Sequence, residues 1–187
     1  MKQALVTIVG PDRPGIVHLI SRVLASQGCH ILSVSQTTLL GQFAGVFSTK
    51  VPENLTLEAL GGEFAGSLEG QNLSHWIAPP ADDLGPSARE SEPYVLTIVG
   101  PDRLEVIPEV TRTVASFEAN IDNLRAITID GARNSGEEPP LALVLEITVP
   151  VEVQQNVFRQ ALSLTAEELG IEISLQHRNI FEAIHRV

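Results

Sequence analysis

Hydrophobic and polar positions follow the same order in the two halves of the chain. Apolar, β-branched runs at 4–9 and 94–99 end in Gly-Pro, a pattern that predicts buried strands. Apolar residues spaced three or four positions apart follow each run, over 16–27 and 106–117. This spacing predicts a helix with one buried face. Both halves are therefore expected to open with a strand and a helix.

The rest of each half predicts two strands, a second helix and a final strand. In the first half these span 30–39, 43–51, 55–68 and 71–77; in the second they span 121–130, 141–149, 151–168 and 171–176. The order β-α-β-β-α-β thus occurs twice. It predicts an α+β protein of two ferredoxin-like domains, each a four-stranded antiparallel sheet with two helices on one face and the other face bare.

The turns carry the residues that such connections need. Gly28 is expected to end the first helix in the left-handed conformation, and Asn120 is expected to do so after the equivalent helix. Leu40-Gly41-Gln42 predicts a tight hairpin. The equivalent connection in the second half, 131–140, is longer and polar.

A repeated segment supports a duplicated domain. The seven residues of Thr7–Arg13 are identical to Thr97–Arg103, an offset of 90 residues that suits one small domain. The predicted organisation is a first domain at 1–78, a linker at 79–93, a second domain at 94–177 and an amphipathic C-terminal tail at 178–187. That tail either docks on the protein itself or binds a partner.

Composition narrows the function classes. The chain has 187 residues and a net charge of −11, so direct binding to nucleic acid is disfavoured. No apolar stretch reaches the length of a membrane span, and the lone Cys29 forms no intrachain disulfide, so we expect a cytoplasmic protein. The histidines show no metal-ligand spacing, and no activated nucleophile is evident. We therefore expect no metal, no cofactor and no enzymatic activity.

The loop after the first strand carries the candidate chemistry. Asp12 is placed to cap the following helix, and Pro14 suits the first helical turn. The first helical amides would then be free to hold a carboxylate, and Gly15 would let a ligand approach the backbone closely. The alternative is that Gly-Pro-Asp-Arg only makes a sharp strand-to-helix turn.

The second copy differs at this loop. Leu104-Glu105 replaces Pro14-Gly15, and the spacing of Glu105 from Asp102 fits a capping box. We expect the Glu105 carboxylate to fold back on its own helix and to fill the place of a ligand carboxylate. The first copy would then bind a ligand, and the second would be a structural partner.

Residues 10–17, between strand and helix, resemble the first loop of ACT domains, which are regulatory modules of this topology. The tandem arrangement resembles the glycine cleavage system transcriptional repressor group and the regulatory half of some phosphoserine phosphatases. The resemblance implies that an amino acid lies between this loop and the second strand of a paired domain. The ligand-binding residues it implies are Asp12, Arg13, Pro14, Gly15, Ile16, His30, Ile31 and Leu32.

The same resemblance implies a function. The expected protein is a non-enzymatic homodimer that binds a small amino acid, glycine or serine, and controls a partner protein such as a transcription activator. It would do so without contacting DNA or a membrane. A structural adaptor and a detached regulatory subunit of an amino-acid-metabolising enzyme remain alternatives. Trp76, at the end of an apolar strand, is expected to pack in the core or against the sister domain.

Overall fold

The computed structural model describes residues 2–81, 90–128 and 140–179. The chain divides into two compact units, Met1–Asp82 (unit 1) and Asp83–Val187 (unit 2). Most of the predicted linker, most of the connection at 131–140 and residues 180–187 of the predicted tail lie outside the described residues. None of the described helices is both long and apolar enough to cross a bilayer.

Unit 1 is a four-stranded antiparallel sheet with two helices. Its strands lie in the order β2-β3-β1-β4, so β1 is central and both β2 and β4 are edge strands. The final strand begins three residues later than predicted, after Leu73, and the second helix begins at Leu57. The elements are β1 (Lys2–Pro11), α1 (Ile16–Ser26), β2 (His30–Leu39), β3 (Gln42–Val51), α2 (Leu57–Leu68) and β4 (Ser74–Ala78).

Unit 2 repeats this architecture, with its strands in the order β6-β7-β5-β8. Its first strand begins at Ser91, inside the predicted linker, and its second helix begins four residues later than predicted. The predicted fold class is confirmed in both units. The elements are β5 (Ser91–Pro101), α3 (Val106–Ser116), β6 (Asn120–Thr128), β7 (Pro140–Pro150), α4 (Gln155–Leu169) and β8 (Glu172–His177).

Each core lies between one face of the sheet and the two helices. The stripe predicted for α1 is buried in unit 1, and its members are Ile16, Ile20, Val23 and Leu24. It packs with the inward residues of the strands and of α2, among them Val6, Ile8, Phe43, Phe47, Leu60 and Phe64. The pairing of these stripes holds both helices on the same side of the sheet.

Trp76 does not lie in this core. It pairs with Thr7 on β1, between the inward-facing Val6 and Ile8, and so points to the opposite face of the sheet. The Trp76 side chain is 61% exposed. The expectation that it packs in the core is therefore wrong, because the register of β4 and not its hydrophobicity sets the direction of the side chain.

Backbone conformation at the turns follows the predictions in part. Gly28 has φ 68° directly after α1, and Leu40 and Gly41 have φ 49° and 73° in the two-residue hairpin between β2 and β3. After α3 the left-handed residue is Glu118, with φ 54°, whereas Asn120 begins β6. The prediction for Asn120 is wrong, because α3 ends at Ser116 and the left-handed turn is completed at Glu118, two residues before Asn120.

Candidate functional site

The loop between β1 and α1 has a different cap from the one predicted. Gly15 is the N-cap of α1, with φ 95° and ψ −4°, and no side chain caps the helix. Asp12 instead accepts a hydrogen bond from the Thr38 hydroxyl at 3.2 Å, and its amide donates to the carbonyl of Gly41 at 2.8 Å. Pro14 precedes the cap and is outside the first helical turn. The predicted roles of Asp12 and Pro14 in starting the helix are therefore wrong.

This cap leaves the first turn of α1 with unused donors. The Gly15 carbonyl accepts the amide of Leu19 at 2.9 Å, which is the first intrahelical bond. The amides of Gly15, Ile16 and Val17 have no acceptor within the described parts of the chain. Free amides at a helix start, reinforced by the helix dipole, form a seat for an anion.

The equivalent turn of unit 2 is arranged differently. Glu105 is itself the N-cap of α3, with φ −82°, and its side chain makes no capping hydrogen bond. The amide of Val106 donates to the carbonyl of Arg103 at 3.2 Å, so one first-turn donor is used within the loop. The predicted capping box is wrong, because Glu105 occupies the cap and not the third helical position. What distinguishes the two loops is the backbone, since the φ of 95° at Gly15 lies in a region that residues with a side chain rarely adopt.

A hollow of about 320 Å³ opens beside Gly15, between the start of α1 and the end of β2. A Cβ atom added at Gly15 would meet nothing within 4 Å, so the backbone is accessible at this lip. The Arg13 guanidinium donates to the side-chain oxygen of Gln71, which holds it at the side of the hollow. The hollow is lined by Asp12, Arg13, Gly15, Ile16, Val17, His18, Gln36, Thr38 and Phe43.

The structure brings only part of the predicted residue set to this hollow. Asp12, Arg13, Gly15 and Ile16 line it, whereas Pro14 does not. The remaining three, His30–Leu32, begin β2 at the opposite end of the sheet. β1 and β2 each run antiparallel to β3 and are therefore parallel to each other, so the end of β2 lies beside the loop that follows β1.

Sequence reasoning missed the residues that complete the wall. Gln36 and Thr38 come from the last part of β2, about 20 Å and about 26 Å along the strand from His30 at 3.3 Å per residue. The predicted element order already indicated that the end of β2 lies at this loop, because a helical crossover between the first two strands makes those strands parallel. His18, an exposed residue of α1, also lines the hollow.

The described residues show no cluster of the kind that holds a metal ion. Within residues 2–81, 90–128 and 140–179, no three His, Cys, Asp or Glu side chains are grouped closely enough to hold a metal ion. Cys29 is buried beneath α1, and this burial raises the pKa of its thiol, which disfavours the nucleophilic thiolate.

Comparison with known families matches both units. Residues 2–62 and residues 95–176 each match a family described as an ACT domain. Phosphoserine phosphatase SerB2 of Mycobacterium tuberculosis is 29% identical over 174 residues, which cover 92% of this chain but only 40% of that enzyme. This chain therefore spans less than half the length of that curated relative.

Two solved structures resemble this chain over most of its length. A protein of unknown function from Galdieria sulphuraria has a TM-score of 0.80 at 23% identity, covering 94% of this chain and 98% of that one. A candidate glycine cleavage system transcriptional repressor has a TM-score of 0.70 at 17% identity, covering 94% of this chain and 96% of that one. At these identities the two likenesses show a common fold.

Proposed function

Because the chain belongs to the ACT domain family, with a matching domain in each unit, we propose that it is a non-enzymatic regulatory protein. It binds a small amino acid, glycine or serine, in the hollow beside Gly15. Binding changes its contact with a partner protein, which we propose to be a transcription activator in the cytoplasm. The net charge of −11 supports regulation without direct contact to nucleic acid.

The first turn of α1 supports binding of the ligand carboxylate. The amides of Gly15, Ile16 and Val17 have no acceptor among the described residues, and the positive end of the helix dipole lies at the same place. Gly15 has no side chain to block the approach. Arg13, on the wall of the hollow, adds positive charge near this end.

The opposite wall supports binding of the ligand ammonium. Asp12 accepts one hydrogen bond, from Thr38, although a carboxylate has about four acceptor positions. The Asp12 carboxylate would also attract an ammonium group placed beside it. Phe43 is buried at the base of the hollow, so a short side chain fits better than a long one.

The edge strand β2 supports a homodimer. All ten of its residues are exposed, and the strand contains no Asp, Glu, Lys, Arg or Pro. Such an uncharged edge presents unpaired backbone groups with little to prevent pairing. A second copy can meet it there without opposing like charges, although both chains are strongly acidic. The edge of unit 2, by contrast, carries Asp122 and Arg125.

Antiparallel pairing of two β2 strands would also complete the site. Pairing about a twofold axis near Val34 would place His30–Leu32 of a second copy beside Gln36 and Thr38 of the first. The residues implied by the resemblance would then reach the hollow from the neighbouring chain. Ligand binding would then stabilise the dimer. A ligand can regulate a protein only through a difference in its affinity for two states, which here would be the monomer and the dimer.

The observation that carries this proposal is the contrast between two near-identical loops. In unit 1 the cap is a left-handed glycine and the amide of the first helical residue, Ile16, has no acceptor among the described residues, whereas in unit 2 the equivalent amide of Val106 is bonded within its loop. Titration calorimetry with the twenty amino acids tests it. We expect glycine or serine to bind, and N-acetylglycine and glycine methyl ester, which lack one charge each, not to bind. If no amino acid binds at millimolar concentration, the sensor function is refuted.

A matched pair of variants locates the site. Asp12→Asn keeps an acceptor for Thr38 but removes the charge, and we expect it to lose at least about tenfold in affinity. Asp102→Asn makes the same change in the equivalent loop of unit 2 and should leave the affinity unchanged. Equal loss in both variants would contradict the assignment to unit 1. Light scattering with and without glycine measures the linked change in mass.

A further inference from the structure

A second hollow in unit 1, of about 340 Å³, lies between the start of α2 and the edge strand β4. Its lining residues belong to neither the β1–α1 loop nor β2, so it is separate from the hollow beside Gly15. Trp76 lies at its rim, on the edge strand, with its side chain directed to the other face of the sheet. The lining residues are Leu57, Glu58, Gly61, His75, Trp76, Ile77 and Pro79.

The equivalent place in unit 2 is occupied by an arginine of the chain itself. Leu60 and Phe158 are both the fourth residue of their helices, α2 and α4, and both are buried. The next residue is Gly61 in unit 1 and Arg159 in unit 2. The Arg159 guanidinium donates to the carbonyl of Leu175, on the edge strand β8, at 2.9 Å.

The register of the two sheets shows which carbonyl of unit 1 corresponds. Leu175 lies opposite Leu96 on β5, and Ile77 lies opposite Val6 on β1. Val6 and Leu96 are equivalent because they are 90 residues apart, the offset of the repeat. The carbonyl of Ile77 is therefore the counterpart of the one that Arg159 contacts. Unit 2 fills this place with a guanidinium, whereas unit 1 has a glycine and an open hollow.

The lining of the unit 1 hollow suits the same chemical group. Glu58 is exposed and makes no hydrogen bond or ion pair within the described residues. His75, opposite the buried Ile8, presents its ring beside Gly61 and is held in place against Phe64, with ring centroids 6.0 Å apart. A carboxylate, a carbonyl and a flat ring are contacts that a planar, permanently charged guanidinium makes well.

We propose that this hollow docks an arginine side chain carried by an extended segment of a partner protein, which lies along the outer edge of the β4 strand. The contact reproduces between two proteins the one that Arg159 makes within unit 2. Free arginine fits less well, because no Lys or Arg lines the hollow to pair with its carboxylate. The acidic chain, at −11, also favours a basic partner.

Trp76 is the only tryptophan of the chain, so its fluorescence reports occupancy of the hollow in the full-length protein. The probe is the capped peptide acetyl-Val-Thr-Arg-Thr-Val-amide, and its control carries citrulline, the neutral isostere, in place of arginine. We expect a saturable change in Trp76 emission with the arginine peptide and binding at least about tenfold weaker with the citrulline peptide.

Two glycine variants make the sharpest test. Gly61→Arg copies unit 2 and should fill the hollow, abolishing the response to the peptide. Gly62→Arg adds the same charge one residue further along α2, where a side chain meets nothing within 4 Å, and should leave peptide affinity within about twofold of the parent. Arginine favours helices more than glycine does, so both variants should fold, as thermal melting will verify.

The outcomes separate cleanly. Loss of binding in Gly61→Arg with retention in Gly62→Arg supports the proposal, as does a reduction of about threefold in Glu58→Gln. The proposal is overturned if the arginine peptide gives no saturable response, if the citrulline peptide binds equally well, or if folded Gly61→Arg binds like the parent. Binding of free arginine as tight as that of the peptide would assign the hollow to a small molecule and overturn it too.

Discussion

The interface between α3 and α4 contains a buried hydroxyl pair whose energetics can be worked out from its contacts. Thr113 and Thr165 lie with their oxygens 2.8 Å apart, and each is 3.1 Å from a carbonyl of its own helix, that of Glu109 and that of Ala161 respectively. Three contacts share two hydroxyl protons, so at most two are hydrogen bonds at once. One hydroxyl donates across the interface, and the other donates to its own helix.

Replacing one threonine by valine removes the bond between the helices but leaves the other hydroxyl its carbonyl acceptor. We expect Thr113→Val and Thr165→Val each to lower the free energy of unfolding of unit 2 by about 1 kcal/mol. The double variant removes both hydroxyls and buries two methyl groups in their place, so its unfolding free energy should lie within about 0.5 kcal/mol of the parent.

A double-mutant cycle in urea measures the coupling, with far-UV circular dichroism following the unfolding of both units. The emission of Trp76, in unit 1, serves as an internal control and should not shift. Each single variant should melt about 4–8 °C lower, and the double variant should recover most of that loss. A double variant destabilised by the sum of the two single effects would refute the shared-proton arrangement.

Three further predictions follow from the packing of single residues. Gly10→Ala should destabilise unit 1 by about 1–3 kcal/mol, because the added Cβ would lie 2.5 Å from the Asn72 carbonyl oxygen. The urea midpoint of Trp76 emission should therefore fall, and an unchanged midpoint would contradict this. Gly62→Ala should raise the same midpoint, by about 1 kcal/mol of helix propensity, since its Cβ would meet nothing within 4 Å; a lower midpoint would show that the helix needs the glycine. Burial, with the hydrogen bond to Glu92, raises the pKa of Tyr94 to about 12, so tyrosinate absorbance should appear late as the pH rises. The contribution of Tyr94 to stability should be constant below about pH 10 and should fall between pH 10 and 12, because the unfolded chain releases this proton more readily. A midpoint at the ordinary value near 10 would show that the phenol is solvated.

The fold was predictable because its signals are local and periodic. The stripes of α1 and α3 and the strand patterns on either side of them fix which faces are buried, and the repeat fixes the number of units. The ends of elements were less predictable. Residues 71–73 have a strand-like pattern, yet Leu73 is buried in the approach to β4 and Asn72 takes a φ of 56°, which a strand does not allow.

The candidate site was only partly predictable, because its residues meet through the pairing of strands far apart in sequence. The place of Asp12 in the loop predicts a helix cap, but its carboxylate accepts a hydrogen bond from Thr38, which is 26 positions away. A hydrogen-bond partner at that distance leaves no periodic trace in the sequence. The same holds for Trp76, whose direction depends on its register against Thr7.

Two of the differences between the copies are of the same kind. Where unit 2 has Glu105 and Arg159, unit 1 has Gly15 and Gly61, and each glycine adjoins a hollow. At Gly15 the backbone takes a left-handed φ, and the amide of Ile16 has no acceptor among the described residues. At Gly61 there is no counterpart of the Arg159 guanidinium, which in unit 2 contacts the edge strand. Substitutions that only loosened the fold would fall anywhere, whereas these two lie at surface openings and leave the core stripes intact. Glycine in a helix lowers stability by about 1 kcal/mol, so Gly61 has an energetic cost that recognition of a partner at that hollow would explain.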